Sequence, residues 1–235
     1  MRILAINGSP KANNGNTECI LEPFLKGAES AGAETETVYL ANKNIKHCTG
    51  CYSCWTRTPG VCIHKDDMPE LLGKIQQADV LVFASPLYYF NVTGLMKDFI
   101  DRMLPLINPE LESRGGRYID SSRYKGTGIK KRVLISNCGF PGRYNFSGLL
   151  ETFKVMTGGT LDAAILCTEG GVLGAGDDYI RGLLSGYFSS VKKAGRELVE
   201  HGSITPETQE VLDREFMDPE VYMENANMAW REMQK

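Results

Sequence analysis

Four cysteines, Cys48, Cys51, Cys54 and Cys62, fall within 15 residues, just ahead of Lys65-Asp66-Asp67-Met68. Thiols so closely spaced suit three chemistries. They can take the corners of a 4Fe–4S cube, since each iron needs one thiolate and short loops reach from corner to corner. They can serve as structural or redox-active thiols without metal. They can also enclose one zinc ion, although zinc ligands usually come as two separated pairs. The run lacks the proline that follows the last cysteine of bacterial ferredoxins. Cys19 and Cys167 read as small buried residues.

A second chemistry-bearing stretch is Gly8-Ser9-Pro10-Lys11-Ala12-Asn13-Asn14-Gly15-Asn16-Thr17, between an apolar run and a helical pattern. Small, hydroxylated and amide residues opening a helix offer free N–H donors and the positive dipole end, which suits a phosphate. Ser9 and Thr17 add hydroxyls and Asn16 an amide. The alternative is an ordinary capped loop. The Walker pattern fails, because Gly15 is followed by Asn16-Thr17. Gly170 to Gly176 does not meet the dinucleotide fingerprint.

Two more loops complete the set. One is Ala84-Ser85-Pro86-Leu87-Tyr88-Tyr89-Phe90-Asn91, and the other is Ser136-Asn137-Cys138-Gly139-Phe140-Pro141-Gly142. Three consecutive aromatics on a surface loop are costly to expose without a use, and a flat ring is a natural partner for them. Taken singly, each aromatic suits a core or an interface equally well. The glycine-rich turn lets backbone N–H groups approach a ring closely.

The elements that must position these loops follow from hydrophobic period. Apolar runs at Ile3 to Ile6, Thr37 to Leu40, Val80 to Ala84, Val133 to Ser136 and Ala163 to Cys167 read as strands, most of them continuous, as strands buried on both faces are, and the second the least so. Helical patterns lie between them: Ile20 to Ala28, Leu95 to Leu104, Phe146 to Met156 and Leu183 to Val199. In the second, Lys97, Asp98, Asp101 and Arg102 fall on the polar face. Pro23 interrupts the first, which predicts a kink or a later start. Alternating strands and helices mean right-handed βαβ units: an α/β fold, a doubly wound five-stranded parallel sheet with helices on both faces. In such sheets ligands bind outside the carboxyl ends of the strands.

The tail carries two helix starts, Thr205-Pro206-Glu207 and Asp218-Pro219-Glu220. In the last helix Tyr222, Ala226, Trp230 and Met233 share a stripe, suited to packing on the same domain or to a subunit contact. No linker or repeat divides the chain, so residues 1–201 read as one domain and 202–235 as its helical extension.

Composition is that of a globular protein, 42% hydrophobic and 23% charged. The net charge of -3 argues against a nucleic-acid partner. No apolar stretch is long enough for a signal sequence or a membrane span, so the expected compartment is the cytoplasm. Asn108 to Lys131 reads as a long, basic loop, with Arg114, Arg117, Arg123, Lys125, Lys130 and Lys131. It suits the 2′-phosphate of NADPH, an acidic redox partner, or a solvated insertion. His47, His64 and His201 show no metal-site spacing and read as surface or loop residues.

Gly8-Ser9-Pro10-Lys11 through Gly15-Asn16-Thr17, with Ser85-Pro86-Leu87-Tyr88-Tyr89 and Lys97-Asp98-Phe99-Ile100-Asp101-Arg102, resembles the NADPH-dependent FMN reductase family. The cysteine loop ahead of Asp66-Asp67-Met68 is similar to that of its iron–sulfur flavoprotein branch. The resemblance implies a flavodoxin-like fold, with the FMN phosphate on Ser9, Lys11, Asn16 and Thr17. It implies ring contacts from Pro86, Leu87, Tyr88, Tyr89 and Phe90, with Cys138 and Gly139 nearby, and a 4Fe–4S cluster on Cys48, Cys51, Cys54 and Cys62. The implied activity is electron transfer from NAD(P)H through flavin N5 to a flavin, quinone or similar acceptor, which needs no general base. Its rival is a dedicated carrier exchanging electrons with ferredoxin-like partners. A homodimer or homotetramer is implied as well. The resemblance covers the first two-thirds of the chain and leaves residues 202–235 unexplained.

Overall fold

The computed structural model describes residues 1–124, 128–159, 161–174 and 178–235, with Arg114 described in its backbone alone. Its strands are β1 (Arg2–Asn7), β2 (Glu34–Tyr39), β3 (Val80–Pro86), β4 (Ile107–Arg114), β5 (Arg117–Ser122), β6 (Lys131–Asn137) and β7 (Ala163–Cys167). Its helices are α1 (Asn16–Ser30), α2 (Met68–Gln77), α3 (Gly94–Asp101), α4 (Ser147–Met156), α5 (Asp178–His201), α6 (Pro206–Leu212) and α7 (Pro219–Met233). Five parallel strands form the main sheet in the order β2-β1-β3-β6-β7. That is the flavodoxin-like order, and its chain reversal falls between β1 and β3.

The apolar runs divide by period two, as pleated strands must. Ile3, Ala5, Val82, Val133, Ile135 and Ile165 face the layer of α1, α5 and α6. Leu4, Ile6, Leu81, Phe83, Leu134 and Leu166 face α2, α3 and α4. Each fully buried side chain of this kind contributes about 1.5–3 kcal/mol. β2 alternates exposed and half-buried residues because it is an edge strand, which is why its apolar run is the least continuous.

Helix α1 and helix α5 approach so closely that glycine is required on both. A Cβ on Gly27 would lie 1.8 Å from the Lys192 carbonyl oxygen, and one on Gly195 would lie 1.9 Å from that of Phe24. Pro23 lies inside α1, which starts at Asn16 and runs through it to Ser30, so the later start is not adopted. Thr205 and Asp218 cap α6 and α7 as expected, accepting from the Thr208 N–H and from the Glu220 and Val221 N–H groups.

Three features differ from the sequence reading. Helix α2 follows the cysteine loop and buries Met68, Leu71, Leu72 and Ile75. Residues 107–122 are an antiparallel β4–β5 hairpin rather than a loop. Helix α3 stops at Asp101, and Leu104-Pro105-Leu106 follows as a short 3-10 turn with Pro105 in its first turn, where the missing N–H is no loss. In α7 only Tyr222 is buried, while Trp230 and Met233 are exposed. No helix among the described residues is long and apolar enough to cross a membrane.

Candidate functional site

The loop after β1 is wound tightly by its own side chains. Asn7, wholly buried at the end of β1, accepts the Ser9 N–H at 2.8 Å and donates to Glu18 at 2.8 Å. Tyr39 donates to the other Glu18 oxygen at 3.0 Å. Burial, then the neighbouring Glu18 charge, pushes the Tyr39 hydroxyl up to about 12. The Ser9 hydroxyl accepts the Lys11 N–H, and a Cβ on Gly15 would meet that hydroxyl oxygen at 2.5 Å. Ala12 completes the turn with φ of 49°, a left-handed conformation costing about 1 kcal/mol for a residue with a Cβ.

No side chain caps α1, whose first turn opens directly from Gly15. The loop therefore brings a buried hydroxyl and an uncapped helix start to one point, the donor set a phosphate requires. Lys11 is exposed beside it. Asn16 and Thr17 face the neighbouring loops. The Asn16 amide donates to the Gly170 carbonyl at 2.7 Å, and the Thr17 hydroxyl donates to Asn137 Oδ1 at 2.9 Å. With that proton committed, Thr17 can offer an incoming anion only its backbone N–H in this arrangement.

The second loop continues β3. Leu87 donates to the Asn137 carbonyl at 2.9 Å, fastening this loop to the end of β6. Tyr88 and Asn91 exchange backbone hydrogen bonds of 2.8 and 3.1 Å across a tight turn. Its central residues, Tyr89 and Phe90, have φ of 50° and 63°. This geometry normally takes Asn-Gly, and aromatic residues there carry strain of about 1 kcal/mol each. Tyr88, Tyr89 and Phe90 are nevertheless all exposed, Tyr89 completely. Strain and exposed apolar area on one turn point to a function there.

Thr93 links the two loops. Its hydroxyl donates to the Gly8 carbonyl at 2.7 Å and accepts the Met96 N–H at the start of α3. In the third loop, Cys138 is buried and its thiol donates to the Phe140 carbonyl at 3.3 Å. Burial pushes this thiol up, so it stays protonated at neutral pH. At Gly139 no atom lies within 4 Å of where a Cβ would be, leaving the backbone open to a flat ligand. Phe140 and Tyr144 are exposed close by in sequence.

The cysteine loop lies along α3. His47 Nδ1 is 2.6 Å from Asp98, and the Trp55 indole donates to the Leu104 carbonyl at 3.1 Å. Arg102, expected on the polar face, is instead among the largest fully buried side chains. Its guanidinium donates to both Asp66 oxygens, at 2.6 and 3.1 Å, and to the Lys46 carbonyl at 2.7 Å. Burial alone would raise the Asp66 carboxyl. The hydrogen bonds from Arg102 and from the Lys46 and Met68 N–H groups, with the Arg102 charge, outweigh it and hold the group at about 2. The same guanidinium neighbours Cys62. Two charged groups from distant sequence thus close the base of the loop.

Cys54 is buried, Cys62 half-buried, and Cys48 and Cys51 exposed. Burial raises the Cys54 thiol, and the charges of Cys62, Cys48 and Cys51 raise it further. Among the described residues, no three His, Cys, Asp or Glu side chains approach closely enough to hold a single metal ion. Of the histidines, His64 has a buried Nε2 without a partner among the described residues. The basic residues of 108–131 mostly serve the fold. Arg123 donates to the Pro105 and Ile107 carbonyls, Lys130 pairs with Asp79, and Lys131 donates to the Gly202 carbonyl. Lys125, the Arg114 side chain and Ala175–Asp177 lie outside the described residues.

Residues missed by sequence reasoning include Asn7, Asn137 and Thr93, which hold the three loops together. The available signals were an asparagine ending each of the apolar runs β1 and β6, and a threonine in the N-cap position before Gly94.

The profile of the NADPH-dependent FMN reductase family matches residues 1–115. An iron–sulfur flavoprotein of Archaeoglobus fulgidus is 41% identical over 134 residues, which are 57% of this chain and 59% of that protein. An iron–sulfur flavoprotein of Methanosarcina thermophila is 31% identical over 135 residues, 57% of this chain and 69% of its own length. Across the first relatives the match spans 48–59% of their length. Among solved structures, the FMN-dependent NADH-azoreductase of Bacillus anthracis in complex with FMN superposes with a TM-score of 0.61 at 17% identity, covering 84% of this chain and 99% of that one.

Proposed function

Because the chain belongs to the NADPH-dependent FMN reductase family, we propose that it is an FMN-dependent NAD(P)H oxidoreductase delivering electrons to a flavin, quinone or similar small acceptor. The observation that carries this reading is the convergence of three loops at the β1/β3 reversal. One is a polar turn opening the uncapped start of α1, one a strained aromatic turn, and one an open glycine backbone. When bound, FMN supplies a ring that accepts hydride from a nicotinamide and returns electrons to an acceptor. The chain's own residues do the rest. Ser9, Lys11 and the backbone N–H groups of Asn16 and Thr17 would hold the phosphate. Pro86, Leu87, Tyr88, Tyr89 and Phe90 would wall one side of the ring and keep water off it. Cys138 and Gly139 would border the other, with the Cys138 thiol neutral and therefore compatible with a ring gaining negative charge.

The cysteine loop fits a 4Fe–4S cube better than one zinc ion. A cube takes one thiolate at each of its four irons, and short loops reach from corner to corner, whereas zinc ligands usually come as two separated pairs. Cys48, Cys51, Cys54 and Cys62 would be its ligands, and the Arg102 guanidinium beside Cys62 would offset their negative charge. That loop packs along α3, whose first turn follows the aromatic loop, so cluster and ring would share one helix. This placement also favours a second reading, a carrier exchanging electrons with ferredoxin-like proteins. We read the assembly as a homodimer or homotetramer in the cytoplasm, in keeping with the exposed aromatic turn.

Anaerobic stopped flow with excess NADH or NADPH separates the two readings. An oxidoreductase bleaches its flavin absorbance within seconds, while a carrier reacts with neither nucleotide but is reduced by a low-potential ferredoxin. Iron and acid-labile sulfide, each at about four per chain, would accompany the cluster. Flavin without iron or sulfide would remove it.

A further inference from the structure

The C-terminal segment reaches back over the sheet edge at four places. Gly142 donates its N–H to Glu215 at 2.8 Å, and Arg143 pairs with Asp213 at 2.7 Å. The Tyr222 hydroxyl donates to the Gly139 carbonyl at 3.1 Å. Glu169, wholly buried at the end of β7, accepts the Phe216 N–H at 2.7 Å. Glu169 also has φ of 56°, and its second oxygen is buried without a partner among the described residues. A Cβ on Gly171 would lie 3.1 Å from the Tyr222 hydroxyl, so the chain approaches this turn as closely as a side chain would allow. These four contacts end on the turns after β6 and β7, while Phe216 also packs edge-to-face on Tyr187 of α5 with ring centroids 5.1 Å apart.

The turns need such support. Gly139 has open space around it and Gly142 has φ of 88°, so the loop contains two residues with wide backbone freedom. Its internal ties are Asn145, donating to the Pro141 and Gly142 carbonyls, and the Cys138 thiol, donating to the Phe140 carbonyl, and the turn after β7 adds the Glu169 and Gly170 N–H groups on the Phe140 and Cys138 carbonyls. Without external anchors, ordering this loop around a ring would cost conformational entropy at the moment of binding.

We infer that residues 213–222 form a clasp that presets the Cys138–Gly142 and Glu169–Gly171 turns, and that Tyr222 and Glu215 are positioning residues for the isoalloxazine ring. The inference rests on the FMN reading and assigns a role to a segment outside the family match, which ends at residue 115. Tyr222 holds the Gly139 backbone so that its free face stays toward the ring, and Glu215 holds the Gly142 N–H.

The test titrates FMN into the full-length apoprotein and follows quenching of flavin fluorescence, the visible circular dichroism of the bound flavin, and the melting temperature without FMN. Glu215 is exposed, so Glu215→Ala leaves the core intact and guards against misfolding in Tyr222→Phe. Each substitution should weaken FMN binding about three- to tenfold, the loss expected for one hydrogen bond. Each should also alter the visible dichroism, and Glu215→Gln, which keeps an acceptor for Gly142, should bind like the parent. Unchanged affinity and dichroism in both Tyr222→Phe and Glu215→Ala would overturn the clasp while leaving FMN binding intact. So would equal losses in Glu215→Gln and Glu215→Ala that track the melting temperature, since that pattern marks general stability. A parent protein that does not quench FMN at all would instead sink the FMN reading, and the clasp with it.

Discussion

Arg102→Met should lower the melting temperature by about 10 °C or more at neutral pH. The guanidinium is buried against a buried carboxylate, and removing it strands the Asp66 charge and the Lys46 carbonyl together. Breaking a buried pair from one side costs about 3–5 kcal/mol, and each kcal/mol moves the melting temperature by about 2–4 °C in a domain of this size. Acid should narrow the difference. The Asp66 pKa is lowered to about 2 from an ordinary 3.8, so its contribution to parent stability is present above about pH 4 and is lost as pH falls through 2. In the variant the stranded carboxyl, raised by burial, is relieved by protonation. Calorimetric melts at pH 7 and pH 3.5 check both parts. A shift under 2 °C at pH 7 would show that Asp66 is solvated in the folded protein.

Gly27→Ala should be comparably damaging, although it adds a single methyl group to a helix. Its Cβ would meet the backbone of α5 at Lys192, which no rotamer change can move aside. Overpacking of a buried contact costs about 1–3 kcal/mol or more, and here it falls at a backbone crossing, so the upper end applies. Gly195→Ala attacks the same crossing from α5 and should cost as much, while the double variant should cost less than the sum, because one separation of the helices relieves both clashes. Gly73→Ala and Gly186→Ala are the controls. Both glycines sit in helices with no atom within 4 Å of the new Cβ, and each exchange should stabilise by about 0.5–1 kcal/mol. Urea denaturation of the four single variants compares them directly. Equal stability across all four would mean that α1 and α5 do not cross through these residues.

These two variants mark where the sequence is legible and where it is not. The sheet can be read from its apolar runs, because strands buried on both faces need no partner to declare themselves, and the edge strand β2 is accordingly the least continuous of the five. The three loops at its carboxyl edge follow from the strand ends. Arg102 could not be placed from α3 alone, since its polar neighbours Asp98 and Asp101 share its local pattern. The carboxylate that draws it inward is Asp66, 36 residues earlier in the chain. Helix α2 is legible in the spacing of Met68, Leu71, Leu72 and Ile75, which share its buried face. The β4–β5 hairpin was also signalled, by Gly115-Gly116 between stretches of similar length. The polar character of its strands concealed it, because neither face of the ribbon packs into the main core. Tyr222 falls on the stripe of α7, yet its destination at Gly139 depends on where the chain returns, which period cannot show.

The central claim is that the loops after β1, β3 and β6 together hold a ribityl phosphate and its ring. Adding FMN to the apoprotein during a thermal melt tests it most directly. At a concentration about one hundred times the dissociation constant, a ligand confined to the folded state stabilises by about 2.7 kcal/mol. That predicts a rise of about 5–10 °C, with riboflavin giving clearly less because it lacks the phosphate. A melting temperature that does not respond to FMN, or that rises equally with riboflavin, would contradict the account.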